Sequence, residues 1–523
     1  MKQIVEQVMA AMKNGTPASA PAAASSCGSK VTAANYPLAE SMADQIKTPT
    51  GKDFTSLSYE KVINGELSAD DMRIAPETLE MQAQVAESVH REAFAGNLRR
   101  AAELIAVPDD RLLEIYNALR PYRSTKQELL DIAGEAARLG IEMLVLDDGW
   151  FGNKYPRNGS NAGLGDWQVN AKKLPEGIDY IASYAHQKGM KFGIWIEPEM
   201  VNPRSELAEK HPDWIVKAGN REIPRMRNQW LLDLSNPKVQ DFVFSVFDNT
   251  MKLSPNIDYI KWDANRHVEN AGSEYLPEDK QSHFWIDYTQ GFYKVMERIR
   301  AKYPDVLIQA CASGGGRVEF GAMKYFNEVW TSDNTEALSR TRIQYGTSLF
   351  YPATVMGSHV SATPNHQTGN ITPIKFRFDI ACAGRLGMEL QPKRMDDAEK
   401  RFARKAVASY KAYRDIVMEG DLYRIGTPYD DTGYYGMMYV SKDKKKAVLF
   451  TYCIRYQSRT LIPKFRLHGL DAKTRYTVRE QNTDKKRFWF DGGTFTGEYL
   501  ANAGINPNLS KIYDSAVFVL EAQ

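Results

Sequence analysis

The chain has 523 residues, more than one ordinary hydrophobic core can hold, so we expect two or three domains. Its hydrophobic content of 43% and charged content of 25% are typical of a soluble globular protein. The formal charge of +2, from 67 basic and 65 acidic residues, gives no reason to expect nucleic acid or an anionic membrane as a partner.

Cysteine usage and hydropathy predict the compartment. The four cysteines lie far apart, with no CxxC pair and no His/Cys cluster: Cys27, Cys311, Cys382 and Cys453. This spacing disfavours a disulfide framework or a zinc site and favours a reducing compartment. No run of about 18 apolar residues occurs, so no membrane span is predicted. Glu6 interrupts the apolar stretch that a signal peptide needs, and we expect a cytoplasmic protein.

Residues 1–29 predict an amphipathic helix followed by a linker. The apolar residues of the helix share one face: Ile4, Val5, Val8, Met9 and Met12. The following TPASAPAAASS is too poor in bulky side chains to pack. Such a helix is either a docking peptide for a larger assembly or an end that folds back on its own domain.

Residues 30–133 predict a small helical domain. Apolar residues recur at helical spacing across 73–106, where Pro76 suits a first turn, and again across 107–119. We find no strand pattern and no catalytic constellation in this segment.

From 134 to 420, short apolar runs alternate with helical stretches, which predicts βα units and a parallel sheet in an α/β fold. The predicted strands are 141–146, 191–196, 259–262, 306–311, 328–332, 353–357 and 380–384. Polar, glycine-rich or acidic residues follow each strand, as at the functional face of a (β/α)8 TIM barrel. A closed barrel needs eight strands, and the residues before the first run read as a helix. We therefore expect a barrel that lacks its first strand and is open along one edge.

Residues 421–523 alternate apolar and polar positions, with turn residues at intervals of about ten. This pattern predicts a small antiparallel β-sandwich, with strands at YGMMYVS, KAVLFTYCI, TLIPKFRL, RYTVREQ, RFWFDGGTFTG and SAVFVLEA.

Carboxylates and tryptophans cluster directly after the predicted barrel strands. The carboxylates are Asp147, Asp148, Asp166, Glu197, Glu199, Asp233, Asp263 and Asp333, and the tryptophans are Trp150, Trp167, Trp195, Trp262 and Trp330. A pocket of carboxylates and aromatic rings suits a sugar, whose ring has polar edges and apolar faces. Hydrolysis of a glycosidic bond needs two such carboxyl groups. One aspartate after a strand is more often a helix cap or turn residue, so the prediction depends on the joint occurrence.

Seven motifs occur in one order across about 135–420: LVLDDGWFG, GIWIEPEMVNPRSEL, LLDLSNP, YIKWDANR, CASGGGR, VWTSDNT and VMGSHVSATPNHQTG. Together they resemble glycoside hydrolase family 36, the α-galactosidases, and the β domain behind them is similar too. The resemblance implies a retaining hydrolase that releases terminal α-linked galactose through a covalent glycosyl-enzyme. An α-N-acetylgalactosaminidase is the neighbouring alternative, because the pocket at the 2-position of the sugar cannot be read from the sequence.

The resemblance also implies roles for individual residues. Asp263 in KWDANR matches the nucleophile and Asp333 in TSDN the acid/base, which a retaining mechanism places about 5–5.5 Å apart. Asp147 and Asp148 match the pair that holds the galactose hydroxyls, and Lys261 matches another hydroxyl contact. The remaining pocket positions are Trp195, Arg227, Cys311, Gly314 and Trp167.

We predict no metal and no organic cofactor. His359 and His366 have no acidic or cysteine partner at ligand spacing, so we interpret them as loop histidines with satisfied hydrogen bonds. Cys311 lacks a neighbouring base and is not predicted to act as a nucleophile.

The amino-terminal part resembles a different family. KVTAANYPLAE, DFTSLSYEKV and NLRRAAELIAVPDDRLLEIYNALRPYRSTKQELLDIA are similar to the small (gamma) subunit of B12-dependent diol or glycerol dehydratase, over about 30–133. The resemblance implies docking to dehydratase large and medium subunits, or to a bacterial microcompartment through the first 26 residues. We interpret the chain as a chimera. The alternative function is a docking module fused to an incomplete, inactive hydrolase domain.

Overall fold

The computed structural model describes residues 30–105, 126–224, 226–456 and 461–523. The chain divides into two compact units, Met1–Arg123 and Ser124–Gln523. The helix and linker predicted within 1–29, the helix predicted over 107–119 and Cys27 lie outside the described residues. The division into four domains, 1–29, 30–133, 134–420 and 421–523, stays a prediction.

The described part of the first unit is helical, as its residue spacing predicts. Its helices are α1 (Leu38–Ser41), α2 (Tyr59–Ile63), α3 (Pro76–Ser88) and α4 (Glu92–Leu104). Within 30–105 no strand forms. The helical spacing predicted over 73–106 corresponds to two helices, α3 and α4, and the helix is interrupted between them, where His90 has a φ of 58°. Buried alanines at Ala83, Ala86 and Ala95 let the two helices pack closely.

The second unit consists of a parallel sheet with its helices, followed by an antiparallel sheet. Its strands are β1 (Met143–Leu146), β2 (Lys191–Ile196), β3 (Met200–Val201), β4 (Trp230–Leu231), β5 (Tyr259–Trp262), β6 (Leu307–Ala310), β7 (Glu328–Trp330), β8 (Met356–Ser361), β9 (Arg385–Glu389), β10 (Asp421–Gly426), β11 (Tyr434–Val440), β12 (Lys446–Cys453), β13 (Arg475–Glu480), β14 (Thr494–Thr496) and β15 (Asp514–Ala522). Its helices are α5 (Lys126–Leu139), α6 (Gly177–Gln187), α7 (Glu206–Lys210), α8 (Pro237–Met251), α9 (Phe284–Lys302), α10 (Ala337–Thr347), α11 (Ile374–Ala381), α12 (Asp397–Glu419) and α13 (Gly497–Asn502).

Seven strands form the parallel sheet, in the order β1-β2-β5-β6-β7-β8-β9. The predicted barrel strands coincide with these elements from β1 to β7, and β8 starts three residues later than predicted. The strand predicted at 380–384 is wrong, because that segment contains the end of helix α11 and β9 begins at Arg385. Phe376, Phe378 and Ile380 are all buried, and a short run of buried apolar residues does not distinguish strand from helix by periodicity.

The predicted barrel with one strand missing is confirmed. Among the described residues β1 and β9 lie at opposite ends of the sheet and do not pair with each other. Helix α5, which precedes β1, nevertheless contacts the segment around α12, which follows β9, through ion pairs Asp131–Lys393 (2.6 Å) and Glu135–Lys400 (3.4 Å). The helices at the two ends of the open sheet therefore contact each other.

The carboxyl-terminal β region forms one six-stranded antiparallel sheet, in the order β10-β11-β12-β15-β13-β14, where we expected two sheets. Alternate residues of β11 face opposite ways: Met437 packs into the core that contains α12, and Met438 into a second core with Leu467 and Leu500. Loops and α13 thus cover the face that a second sheet would cover. The strand predicted at TLIPKFRL is wrong in its described residues, where Phe465 makes only an isolated bridge to Ile505.

No helix in the described ranges is long and apolar enough to cross a membrane.

Candidate active site

The candidate site lies at the carboxyl ends of the parallel strands. Asp147 follows β1, Glu197 follows β2, Asp263 follows β5 and Cys311 follows β6 directly, and Asp333 lies three residues after the end of β7. Because parallel strands end on the same edge of a sheet, these side chains converge although they are far apart in sequence.

Asp263 is buried, with 6% of its surface exposed, and is held by three hydrogen bonds. Its Oδ2 accepts from Trp195 Nε1 (3.0 Å) and from Asn265 Nδ2 (2.7 Å), and its Oδ1 accepts from the backbone N–H of Ala264 (2.9 Å). These donors lie on both oxygens and hold the orientation of the Asp263 carboxyl group.

Asn265 joins Asp263 to Arg227. Its Oδ1 accepts from Arg227 Nη1 (2.9 Å) and from the backbone N–H of Ser313 (3.1 Å). Arg227 has a φ of 54°, a left-handed conformation that is uncommon without glycine and that occurs often at functional sites. Sequence reasoning missed Asn265, which stands two residues after Asp263.

Asp333 differs from Asp263 in its access to solvent. Its side chain is 43% exposed, its Oδ1 accepts from Trp330 Nε1 (3.0 Å), and its Oδ2 lies 4.0 Å from Arg227 Nη1. A continuous chain of contacts, Asp263 to Asn265 to Arg227 to Asp333, thus connects the two predicted catalytic carboxylates. Their separation of about 5–5.5 Å stays a prediction.

Asp147 and Lys261 form an ion pair, with 2.9 Å between Oδ2 and Nζ. The surrounding protein opposes ionisation of Asp147, but the Lys261 ammonium outweighs that effect and lowers the pKa of the carboxyl. Lys261 also lies 5.5 Å from the centre of the Trp330 ring, the same ring that donates to Asp333.

Asp148 is held by Arg157, a residue that sequence reasoning missed. Arg157 donates Nε to Oδ1 (2.9 Å) and Nη2 to Oδ2 (2.9 Å), a bidentate arrangement, and donates Nη1 to Asn202 Oδ1 (2.9 Å). Asn202 in turn donates Nδ2 to the carbonyl oxygen of Asn228 (2.7 Å), the residue after Arg227. A buried arginine between two motifs has no local sequence signature.

Trp195 and Trp167 belong to one aromatic cluster, with ring centres 6.1 Å apart. Phe151 stacks on Trp195 at 6.1 Å and lies 4.5 Å from Trp167. Trp150 fixes this wall by donating Nε1 to the Trp195 carbonyl (2.9 Å). Trp195 thus contacts Asp263 directly, and Trp167 packs in the same cluster.

Cys311 and Gly314 lie on the segment after β6. Gly314 has a φ of 90°, and a Cβ at this position would lie 2.7 Å from Ser332 Cα, so only glycine lets this loop approach the strand end of Asp333. Burial and the charge of Asp263 raise the pKa of the Cys311 thiol well above its usual value, which agrees with a non-nucleophilic role.

Two titratable groups on the last strands border the site. His359 lies on strand β8 rather than in a loop as predicted, 4.4 Å from the Trp330 ring centre, and burial together with nearby cations lowers its pKa to about 3. Burial raises the pKa of Glu389, at the end of β9, to about 7. In the described ranges no group of three His, Cys, Asp or Glu side chains could hold a metal ion.

Glu197 is completely buried below Asp263. Its Oε1 accepts from the backbone N–H of Asn265 (2.6 Å) and its Oε2 from Gln229 Nε2 (3.0 Å). Burial and then the Asp263 charge raise its pKa well above the usual value.

Three other carboxylates of the predicted cluster have structural partners instead. Glu199 pairs with Arg317 through both oxygens (2.5 and 2.8 Å), and Asp166 accepts from the first two backbone N–H groups of α7. Asp233 accepts from Ser235 and Ser273. The contacts of Asp166 are those of a helix cap, as expected for a single aspartate after a strand.

Three sequence families match the chain. The Melibiase family model matches residues 111–420, the Glycosyl hydrolase family 36 C-terminal domain matches 434–520, and the Dehydratase small subunit matches 31–139.

Among similar curated proteins, Alpha-galactosidase AgaA of Geobacillus stearothermophilus is 39% identical over 76% of this chain and 52% of its own length. Alpha-galactosidase 2 of Hypocrea jecorina is 40% identical over 76% of this chain and 51% of its own length. The chain thus spans about half the length of the curated relatives it matches.

Solved structures agree with these relationships. The GH36 alpha-galactosidase AgaB from Geobacillus stearothermophilus superposes with a TM-score of 0.72 at 38% identity, covering 77% of this chain and 54% of that protein. A doubly substituted variant of AgaA from the same organism, in complex with raffinose, gives the same TM-score, identity and coverage.

Proposed function

Because the chain belongs to the melibiase family, we propose that its barrel and carboxyl-terminal sheet form a retaining glycoside hydrolase that releases terminal α-linked galactose. One observation carries this proposal: Asp263 and Asp333, at the ends of β5 and β7, are connected through Asn265 and Arg227. One carboxylate is buried among donors and the other reaches solvent, which suits a nucleophile and an acid/base respectively.

In the first step, an Asp263 oxygen forms a bond to the anomeric carbon while the glycosidic C–O bond breaks. Asp333 gives its proton to the departing oxygen. In the second step, a water gives a proton to Asp333 and attacks the anomeric carbon, and the bond to Asp263 breaks to release galactose with retained configuration. Asp263 and Asp333 both return to their starting states.

The sugar-binding part of the site is assigned to the residues around β1 and β2. Asp147 and Asp148 accept hydrogen bonds from galactose hydroxyls, Lys261 donates to another hydroxyl, and Trp195 with Trp167 forms the apolar wall. Raffinose and stachyose occur in structures of AgaA variants, and we propose α-galactoside oligosaccharides as substrates here. α-N-Acetylgalactosaminidase is the neighbouring activity.

The test is hydrolysis of a chromogenic α-galactoside by the purified full chain, beside Asp263→Ala and a control, Asp241→Ala, whose side chain lies at the surface. We expect activity in wild type and control, and a loss of more than about 1,000-fold in Asp263→Ala. A folded wild type without turnover, as judged by circular dichroism, would contradict the proposal. The matching α-N-acetylgalactosaminide distinguishes the neighbouring activity.

A second function is favoured for the first unit by its match to the Dehydratase small subunit. Large apolar side chains on it are exposed, among them Tyr36 (67%), Tyr59 (76%) and Ile63 (66%). We propose that this unit docks dehydratase large and medium subunits in the cytoplasm, and that residues 1–29 direct the chain to a microcompartment. The docking is tested by co-purification with co-expressed dehydratase subunits, compared between wild type and Tyr59→Ser. If neither chain recovers a dehydratase subunit, the proposal is contradicted.

A further inference from the structure

Asn265 is one member of a closed ring of hydrogen-bonded residues beside the two carboxylates. Its backbone N–H donates to Glu197 Oε1 (2.6 Å), and the other oxygen of Glu197 accepts from Gln229 (3.0 Å). Gln229 closes a tight turn with Met226, and this turn carries Arg227, which returns to Asn265 Oδ1 (2.9 Å). The ring therefore joins the ends of β2 and β5 to the turn that carries Arg227.

The orientation of the Asp263 carboxylate depends on this ring. Its Oδ2 accepts two side-chain hydrogen bonds, from Trp195 and Asn265, whereas its Oδ1 accepts only the adjacent Ala264 N–H among the described hydrogen bonds. Two fixed donors on Oδ2 set the rotation of the carboxylate plane. Oδ1 is left as the oxygen with capacity for a new bond.

We propose that Asn265, clamped by the buried Glu197, is a positioning residue that fixes Oδ2 of Asp263 and leaves Oδ1 to attack the anomeric carbon. This inference rests on the proposed hydrolase function. Asn265 also couples that orientation to Arg227 and hence to Asp333, so one side chain sets the relative placement of the two carboxylates. It acts through Asp263 and needs no contact with the sugar.

Asn265→Asp keeps an oxygen for Arg227 and loses the N–H donor to Oδ2, and it also places a second carboxylate beside Asp263. A matched control is Asn482→Asp in the loop after β13, where a buried asparagine likewise donates Nδ2 to an aspartate, Asp379 Oδ1 (3.1 Å). Both variants replace an amide donor by a carboxylate next to a buried aspartate.

Both variants should lose thermal stability to a similar extent in melts followed by circular dichroism. Asn265→Asp alone should lower kcat by about 100-fold on the chromogenic α-galactoside, with KM within about threefold of wild type. A purely structural role predicts instead that both variants lose activity only in proportion to their unfolded fraction, and that result overturns the proposal.

Crystal structures of wild type and Asn265→Asp provide the readout that does not depend on turnover. The carboxylate plane of Asp263 should rotate in the variant while the Trp195 contact remains. An unchanged Asp263 overturns the positioning role even if the wild type is active. If Asp263 is rotated in the variant but the wild type shows no hydrolysis, the positioning role stands and the proposed function is contradicted.

Discussion

The middle and the ends of the parallel sheet place their functional residues in different ways. Strands β5, β6 and β7 are almost wholly buried, whereas every residue of β1 and β9 keeps some exposure. Asp263 follows β5 and is fixed within its own strand end by Ala264, Asn265 and the neighbouring Trp195. A residue with strands on both sides thus obtains its position from packing and from short-range hydrogen bonds.

At the open end, Asp147 and Asp148 follow an edge strand and are held by cations from elsewhere. Lys261 comes from β5 and Arg157 from the loop after β1. An edge strand lacks a neighbouring strand on one side. The ion pairs with Lys261 and Arg157 define the positions of its two aspartates instead. Asp263, the proposed nucleophile, is thus positioned by the sheet, whereas the proposed sugar-binding carboxylates Asp147 and Asp148 are positioned by side-chain pairs, and four measurements test this difference.

The largest effect is expected from the buried ion pair between Glu199, in the segment after β2, and Arg317, in the segment after β6. Arg317→Met removes the guanidinium partner of the completely buried Glu199, and should lower the free energy of unfolding by about 3–5 kcal/mol in urea titrations. Arg298→Met is the matched control: both arginines lie over an aromatic ring, Phe292 and Phe244, but the partner of Arg298 is at the surface. The control should lose less than about 1 kcal/mol. Equal losses in the free energy of unfolding would show that the buried ion pair stabilises the protein no more than the surface pair does.

Lys261→Met removes the cation that holds Asp147 at the edge. The pKa of Asp147 is lowered by Lys261, so without it the carboxyl needs a higher pH to ionise. We expect kcat/KM for the α-galactoside to fall by about 100-fold, and the acidic limb of its pH profile to move to higher pH. Lys302→Met serves as control, because Lys302 pairs with Asp248 between helices α8 and α9. An unmoved acidic limb would contradict the assigned role of the pair.

The same truncation at two strands compares their packing directly. Val329 in β7 is buried at 1% exposure, and Val145 in β1 is 36% exposed. Val329→Ala should lower the free energy of unfolding by about 2–3 kcal/mol, through lost burial and a residual cavity. Val145→Ala should lower it by less than about 1 kcal/mol. A larger loss at Val145 would mean that the edge strand is covered in solution.

The smallest effect is expected at the support of Asp148. Arg157→Lys keeps the charge but cannot form the two parallel hydrogen bonds of the guanidinium. KM for the α-galactoside should rise about tenfold, with kcat within about threefold of wild type. Arg204→Lys, near the same loop over Tyr155, should leave both constants unchanged. A fall in kcat with constant KM would place Arg157 in the chemical step instead.

The sequence predicted the strands of the middle and the residues that follow them, because these depend on local patterns. Runs such as YIKW and KFGIWI are apolar almost throughout, as strands buried on both faces must be, and the next residues are polar. The missing first strand was also predicted, since counting apolar runs needs no tertiary information. The prediction at 380–384 was wrong because that apolar run belongs to a buried helix end.

The sequence could not separate functional from structural carboxylates. Glu197, Glu199 and Asp263 all follow strands and are all buried, and a local pattern treats them alike. Their difference depends on partners: a ring of amides for Glu197, a guanidinium for Glu199, and three donors for Asp263.

The amino-acid sequence by itself therefore determined the parallel sheet, its missing strand and the chemical types at the strand ends. Tertiary structure alone decided that Asn265 connects the two carboxylates, that Arg157 fixes Asp148, and that α5 contacts α12 beside the open sheet. The physical reason is that a strand is specified by neighbouring residues, whereas a hydrogen bond or ion pair depends on distance in space between groups far apart in the chain.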